Sequence, residues 1–83
     1  MRFSEDEIAS IISEKITGLT HKKNISADEK IIENGILNSI SLLELAVELE
    51  KTFSVSFSFI EIDKINFSTP GSIQVLIQKK LNS

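Results

Sequence analysis

Ser39 is the residue in this chain whose surroundings most invite chemistry. It stands within "IIENGILNSISLLELAVELEKTF", residues 31–53, with Gly35 four positions before it, Asn38 directly before it and an acidic, apolar run after it. A serine that attacks a substrate needs a base to take its proton and donors to hold an oxyanion. The single histidine, His21, lies in the polar stretch "THKKN", where a solvated loop residue is the simpler reading than a catalytic base. Glu33, Glu44, Glu48 and Glu50 could divide acid and base roles only in a cleft that separates their pKa values, and a small helical bundle offers none. Asp28, Glu29 and Glu33 lack the alternation of an EF-hand loop, and there is no histidine pair to hold a transition metal. Two roles remain for Ser39. With Asn38 it can simply cap a helix, and Ser41 with Glu44 offers a further capping box. Alternatively it carries a phosphate-linked group attached by another enzyme, because a helix N-terminus presents free N–H donors and the positive end of a dipole to an anion.

The rest of the composition narrows the classes of function. A chain of 83 residues is expected to form a single domain, residues 1–83, that buries about 60–65% of its unfolded surface and encloses no deep substrate cavity. An autonomous enzyme is disfavoured, a small Ser39 hydrolase included. Cysteine is absent, so disulfides and thiolate metal sites are excluded and any thiol chemistry must use a borrowed thiol. A net charge of -3 argues against nucleic acid, which requires a concentrated basic face, and for basic protein surfaces as partners. The start "MRFSEDEIAS" lacks the apolar core of a signal peptide and no apolar run approaches a membrane span, so a cytoplasmic monomer without membrane insertion is expected. "MRF" at the start and "LNS" at the end suggest a discrete protein.

Helices must position Ser39. "FSEDEIASIISEKITG" predicts a first helix, with Ser4 and Glu7 as a capping box, Phe3 and Ile8 as a hydrophobic staple, and Gly18 as its terminating residue. Ile8, Ile11, Ile12, Ile16 and Leu19 form its apolar stripe, each side chain contributing on the order of 1.5–3 kcal/mol when buried. "LTHKKNISADEKII" reads as a long ordered loop anchored by Ile25, Ile31 and Ile32. After Asn38, the residues Leu42, Leu45, Ala46, Leu49 and Phe53 point inward, while Ile40, Leu43 and Val47 form a second set to one side. "SVSFSF" alternates like a strand but has no partner strand, so an extended loop is expected. "IEIDKINF" predicts a short helical turn anchored by Ile62, Ile65 and Phe67, and "STPGSIQVLIQKKL" a final helix with Ser68 or Thr69 as cap and Pro70 in its first turn.

The stretch around Ser39 resembles the attachment segment of acyl and peptidyl carrier proteins, which show an acidic residue, Gly, two aliphatics, Asp and then the modified Ser. The matching residues are Glu33, Gly35, Ile36, Leu37, Asn38 and Ser39. Leu42, Glu44, Leu45, Leu49, Glu50 and Phe53 continue the family's helix, and "INFSTPGSIQVLI" resembles its closing segment. The resemblance implies an all-α, four-helix acyl-carrier-like bundle with a long first loop and a short third helix. It further implies that Ser39 receives 4'-phosphopantetheine from coenzyme A through a separate Mg-dependent phosphopantetheinyl transferase, and that the arm's thiol holds an acyl or aminoacyl thioester. By position, Ile40, Leu43 and Val47 would supply apolar contacts and Glu44, Glu48 and Glu50 charged contacts to a loading ligase and downstream biosynthetic enzymes. Gly35 and Asn38 would shape the site. Asn38 replaces the family's usual Asp, keeping a capping oxygen but removing a charge. The form "ENGILNS" is closer to stand-alone carriers of secondary metabolism or D-alanine transfer than to those of fatty-acid synthesis. A competing reading is an interaction module of the same fold that uses the Ile40, Leu43 and Val47 face without a prosthetic group. Phe57 and Phe59 either pack in the core or line an acyl pocket.

Overall fold

A computed structural model describes residues 3–82. Of the terminal stretches "MRF" and "LNS", Met1, Arg2 and Ser83 lie outside the described residues. Three α-helices make up the regular structure among the described residues: α1 (Glu5–Thr20), α2 (Ser39–Phe53) and α3 (Pro70–Leu81). A single 3-10 turn at Phe59–Glu61 stands between α2 and α3. The architecture is all-α. The short third helix expected over the "IEIDKINF" segment takes the form of that three-residue turn, a bend at residues 62–63 and one turn at residues 64–67 in which Phe67 N–H donates to the Asp63 carbonyl at 3.1 Å.

Each helix starts where side-chain chemistry dictates. Ser4 Oγ accepts the Glu7 N–H at 3.1 Å while Glu7 Oε1 accepts the Ser4 N–H at 2.8 Å, closing the expected box. Thr69, rather than Ser68, caps α3 by accepting the Ser72 N–H at 3.0 Å, and Pro70 occupies the first turn, where no N–H is needed. The end of α1 differs from the sequence expectation: Gly18 stays inside the helix and His21 adopts the left-handed cap with φ 63°. The helix runs on because Leu19 packs against the core, Thr20 Oγ1 donates to the Ile16 carbonyl at 2.8 Å and His21 N–H to the Thr17 carbonyl at 2.7 Å.

The core forms where the three stripes meet. Ile8, Ile12 and Ile16 of α1, Leu45, Ala46, Leu49 and Phe53 of α2, and Ile73, Leu76 and Ile77 of α3 are buried, with Ile11, Leu19, Leu42 and Leu81 packed at its margin. Phe3 closes one end edge-on against Phe53 at 4.8 Å between ring centres. The long first loop is pinned by buried Ile25 and Ile31 and by two backbone bonds to the start of α3: Gly71 N–H donates to the Ala27 carbonyl at 2.8 Å and Ile31 N–H to the Ser68 carbonyl at 3.0 Å.

The α2–α3 connection is extended over residues 55–58, as expected of a segment with no strand to pair with. Phe57 and Phe67 meet edge-on at 5.5 Å inside it, and Lys80 sits 5.6 Å from the Phe57 ring centre. Lys80 also binds the Glu61 carboxylate at 2.8 Å, tying the 3-10 turn to α3. That hydrogen bond, the Ser58 N–H and the Lys80 charge hold the Glu61 carboxyl below its ordinary range. Of the three expected anchors, Ile62 packs against the core and Phe67 is fully buried, but Ile65 is 80% exposed. Asp63 Oδ1 accepts the backbone N–H groups of Ile65 and Asn66, and this turn carries the Ile65 side chain outward. Phe59 is likewise 86% exposed, so it lines no interior pocket; core packing is the role of Phe57 alone.

Candidate functional site

The approach to Ser39 is built from a buried anchor, a turn and a cap. Ile31 and Leu37 are buried and joined by a Leu37 N–H to Ile31 carbonyl bond of 2.9 Å. Between them the chain reverses through Gly35, whose φ of +73° is the left-handed conformation that glycine adopts without cost. A Cβ at Gly35 would meet nothing within 4 Å, so its role is the turn and not a close approach. Leu37 and Leu42 then stand at the two staple positions flanking the helix start, which fixes the angle at which the chain enters α2.

Asn38 caps α2. Its Oδ1 accepts the Ser41 N–H at 2.9 Å, while Ser41 Oγ accepts the Asn38 N–H at 2.9 Å. This reciprocal box takes the place of the one expected between Ser41 and Glu44, because the helix begins at Ser39 and Ser41 is therefore its third residue. Ser39 is the first residue of the helix and exposed. Neither its hydroxyl nor its backbone N–H, nor the N–H of Ile40, has a hydrogen-bond partner among the described residues. The first turn of α2 contains no acidic residue. A free hydroxyl thus stands beside two free N–H donors at the positive end of a fifteen-residue helix, an arrangement suited to a phosphate ester on that oxygen.

The other predicted residues divide among three surroundings. Ile40 at 72%, Leu43 at 51% and Val47 at 46% exposure leave an apolar strip on the surface of α2. Glu44 is exposed beside it, and Glu48 pairs with Lys15 of α1 at 3.4 Å. Glu50 serves the backbone instead, its Oε2 accepting the Phe57 N–H at 2.8 Å and so holding the connection after α2. His21 is an exposed helix cap, remote in role from Ser39. Among the described residues no cluster of potential ligands could hold a metal ion, and no helix is long and apolar enough to cross a membrane. A groove of about 610 Å3 lies between α2 and the second half of α1. Its α1 wall includes Lys15, Gly18 and Leu19, which sequence patterns do not single out as site residues: Leu19 reads there only as a core position and Gly18 only as a terminator.

Residues 6–73 match the family described as "Phosphopantetheine attachment site". The chain belongs to the phosphopantetheine-binding carrier proteins. It is 34% identical over 76 residues to the D-alanyl carrier protein of Lactococcus lactis, covering 92% of this chain and 94% of that one. It is 32% identical over 75 residues to the acyl carrier protein of Thermotoga maritima, covering 90% and 88%. A D-alanyl carrier protein of Bacillus velezensis is 30% identical over 73 residues, covering 88% and 90%. Membership makes this carrier a non-catalytic protein whose cofactor is covalently attached 4'-phosphopantetheine. The exposed hydroxyl and unpaired amides at the head of α2 fit that group. When attached, it supplies a thiol that the cysteine-free chain lacks.

Proposed function

We propose that Ser39 carries the phosphopantetheine and that residues 1–83 form one carrier domain working in the cytoplasm. The observation that carries this reading is the free Ser39 hydroxyl at the capped head of α2, with its own N–H and that of Ile40 unpaired. Its role is to hold the ester while Asn38 and Ser41 keep the helix start fixed. A separate transferase makes the modification from coenzyme A. The arm's thiol then holds an acyl or aminoacyl group as a thioester and presents it to enzymes that dock the carrier. Tethering gives the cargo a high effective concentration at each docked enzyme and prevents its loss between steps.

On this reading the 3-10 turn at Phe59–Glu61 takes the place of the short third helix in a four-helix arrangement. Partners read Ile40, Leu43 and Val47 with Glu44 and Glu48. These carboxylates steer basic patches of the loading ligase into register, an effect on encounter rate that salt weakens. Glu50, engaged by the backbone, contributes to the shape of this face through the connection it holds. Gly35 and Asn38 position the site without contacting cargo.

D-alanine is the first cargo to test, because it is the one named for the Lactococcus and Bacillus relatives. The test uses holo protein with ATP, a D-alanine-activating ligase or an acyl ligase, and the matching acid. A thioester mass increment released by hydroxylamine identifies the cargo class. Absence of loading with every ligase on verified holo protein would refute the proposed acyl or aminoacyl cargo while leaving the attachment at Ser39 in place, whereas failure to form holo protein at all would favour the interaction-module reading.

A further inference from the structure

The groove between α1 and α2 begins one helical turn from Ser39. Leu43 and then Val47 follow Ser39 at intervals of four, so all three lie along one side of α2 at axial rises of about 6 and 12 Å. Leu19 faces them across the groove from α1, and Gly18 beside it contributes no side chain: a Cβ there would meet nothing within 4 Å. The polar groups are placed among these apolar ones, with Glu14 and Glu44 along the walls and the Lys15–Glu48 pair, 3.4 Å apart, at the end farther from Ser39.

Resting on the assignment of Ser39, we infer that this groove is the resting place of the carrier's own phosphopantetheine arm. The arm alternates in the same way as the groove. Its paired methyls and methylene runs suit Leu19, Leu43 and Val47, its hydroxyl and two amide N–H groups find acceptors in the carboxylates, and its amide carbonyls find a donor in Lys15. The head of α2 to Glu48 spans about 13 Å along the helix, a distance that the phosphate, pantoyl, β-alanyl and cysteamine units outrun when extended in series. The groove volume of about 610 Å3 accommodates the arm in an open, reversible seat. An occupant tethered at the groove's mouth is present at high effective concentration whatever else the solution contains, which favours it over a free ligand or a second copy of the chain. Leu43, Glu44, Val47 and Glu48 belong also to the proposed partner face, so seating the arm and docking a partner exclude one another. The thioester is sheltered while the carrier is free and released when an enzyme claims α2.

The test uses isotope-labelled apo and holo protein, with intact mass verifying phosphopantetheine on Ser39 in the holo sample. If no group attaches there, the attachment reading itself fails and the inference falls with it. With the arm in place, amide shifts are expected at Lys15, Gly18 and Leu19, distant in sequence from Ser39, together with nuclear Overhauser contacts from the arm's paired methyls to Leu19 or Val47. Shifts confined to residues 37–42, or extending to the 57–67 connection instead, would overturn it. So would α1 shifts that arise only when a basic partner protein is added. Gly18→Gln provides an independent arm: it fills the groove from an open position and replaces glycine within a helix, so folding is retained. The holo thiol of the parent should react with a bulky aromatic disulfide at least about twofold more slowly than that of the variant, the ratio expected when half or more of the arms are seated. Equal rates would refute the seat.

Discussion

Replacing Asn38 separates the cap that residue supplies from the charge it lacks at the head of α2. The Asn38 Oδ1 accepts the Ser41 N–H at 2.9 Å, and the helix it caps has no acidic residue in its first turn. Asn38→Ala removes the acceptor, a loss of about 1 kcal/mol for a typical cap. Unfolding entropy of about 2.1 cal/mol/K per residue over the 83 residues converts this into a fall in Tm of about 6 °C. Asn38→Asp keeps the acceptor and adds a negative charge to an uncompensated helix end, a gain of about 0.3–1 kcal/mol at low salt, or about 2–6 °C on the same scale. The introduced carboxyl is held in its charged form by the helix end, so its folded pKa lies below its unfolded value. Its contribution is therefore complete above about pH 4 and disappears as the pH falls further. Thermal unfolding followed by circular dichroism on apo protein, in low and high salt and at pH 7 and 3, reads all of this. An unchanged Tm for Asn38→Ala would refute the cap, and an Asp gain that persists at pH 3 in high salt would refute the charge–dipole account.

Three further outcomes follow from the packing. Gly71→Ala places a Cβ 3.0 Å from the Ala27 carbonyl oxygen, a backbone atom in the loop that Gly71 N–H holds at 2.8 Å; a loss of about 1–3 kcal/mol is expected in urea denaturation, and a neutral variant would show that the loop yields freely. Phe57→Ala should cost about 3 kcal/mol or more, because the ring is buried against Phe67, whereas Phe59→Ser, at a position 86% exposed, should stay within about 0.5 kcal/mol of the parent; equal costs would contradict the described connection. Glu61, held below its ordinary pKa of 4.5 chiefly by the Lys80 hydrogen bond, contributes stability that is present above that value and lost as the pH drops below it. Glu61→Gln should therefore flatten the fall in stability below about pH 4.5, and an unchanged acid slope would contradict the pairing.

The helices are legible in the sequence because local signals agree with the apolar stripes. Ser4–Glu7, Pro70 and the isoleucine spacing of α1 each point to the element that forms. The same local logic misplaces the end of α1, since Gly18 satisfies the rule for a terminator but Leu19 gains more by packing on the core, leaving His21 to take the left-handed cap. Ile65 misleads for a related reason: helical spacing predicts burial, while an Asp63-centred turn dictates where that side chain goes. Ser39, Gly35 and Asn38 stand out because turn, cap and serine hydroxyl are adjacent in sequence. The α1 wall of the groove does not, because Glu14, Lys15, Gly18 and Leu19 meet α2 only through the packing of helices separated by a long loop.

The central claim is that Ser39 bears the phosphopantetheine. The direct measurement is intact mass after incubation with coenzyme A, Mg and a broad-specificity phosphopantetheinyl transferase, on the parent and on Ser39→Ala. A single phosphopantetheine increment on the parent and none on a folded Ser39→Ala protein is the predicted result. An increment retained by the variant, or none on folded parent with several transferases, would contradict it.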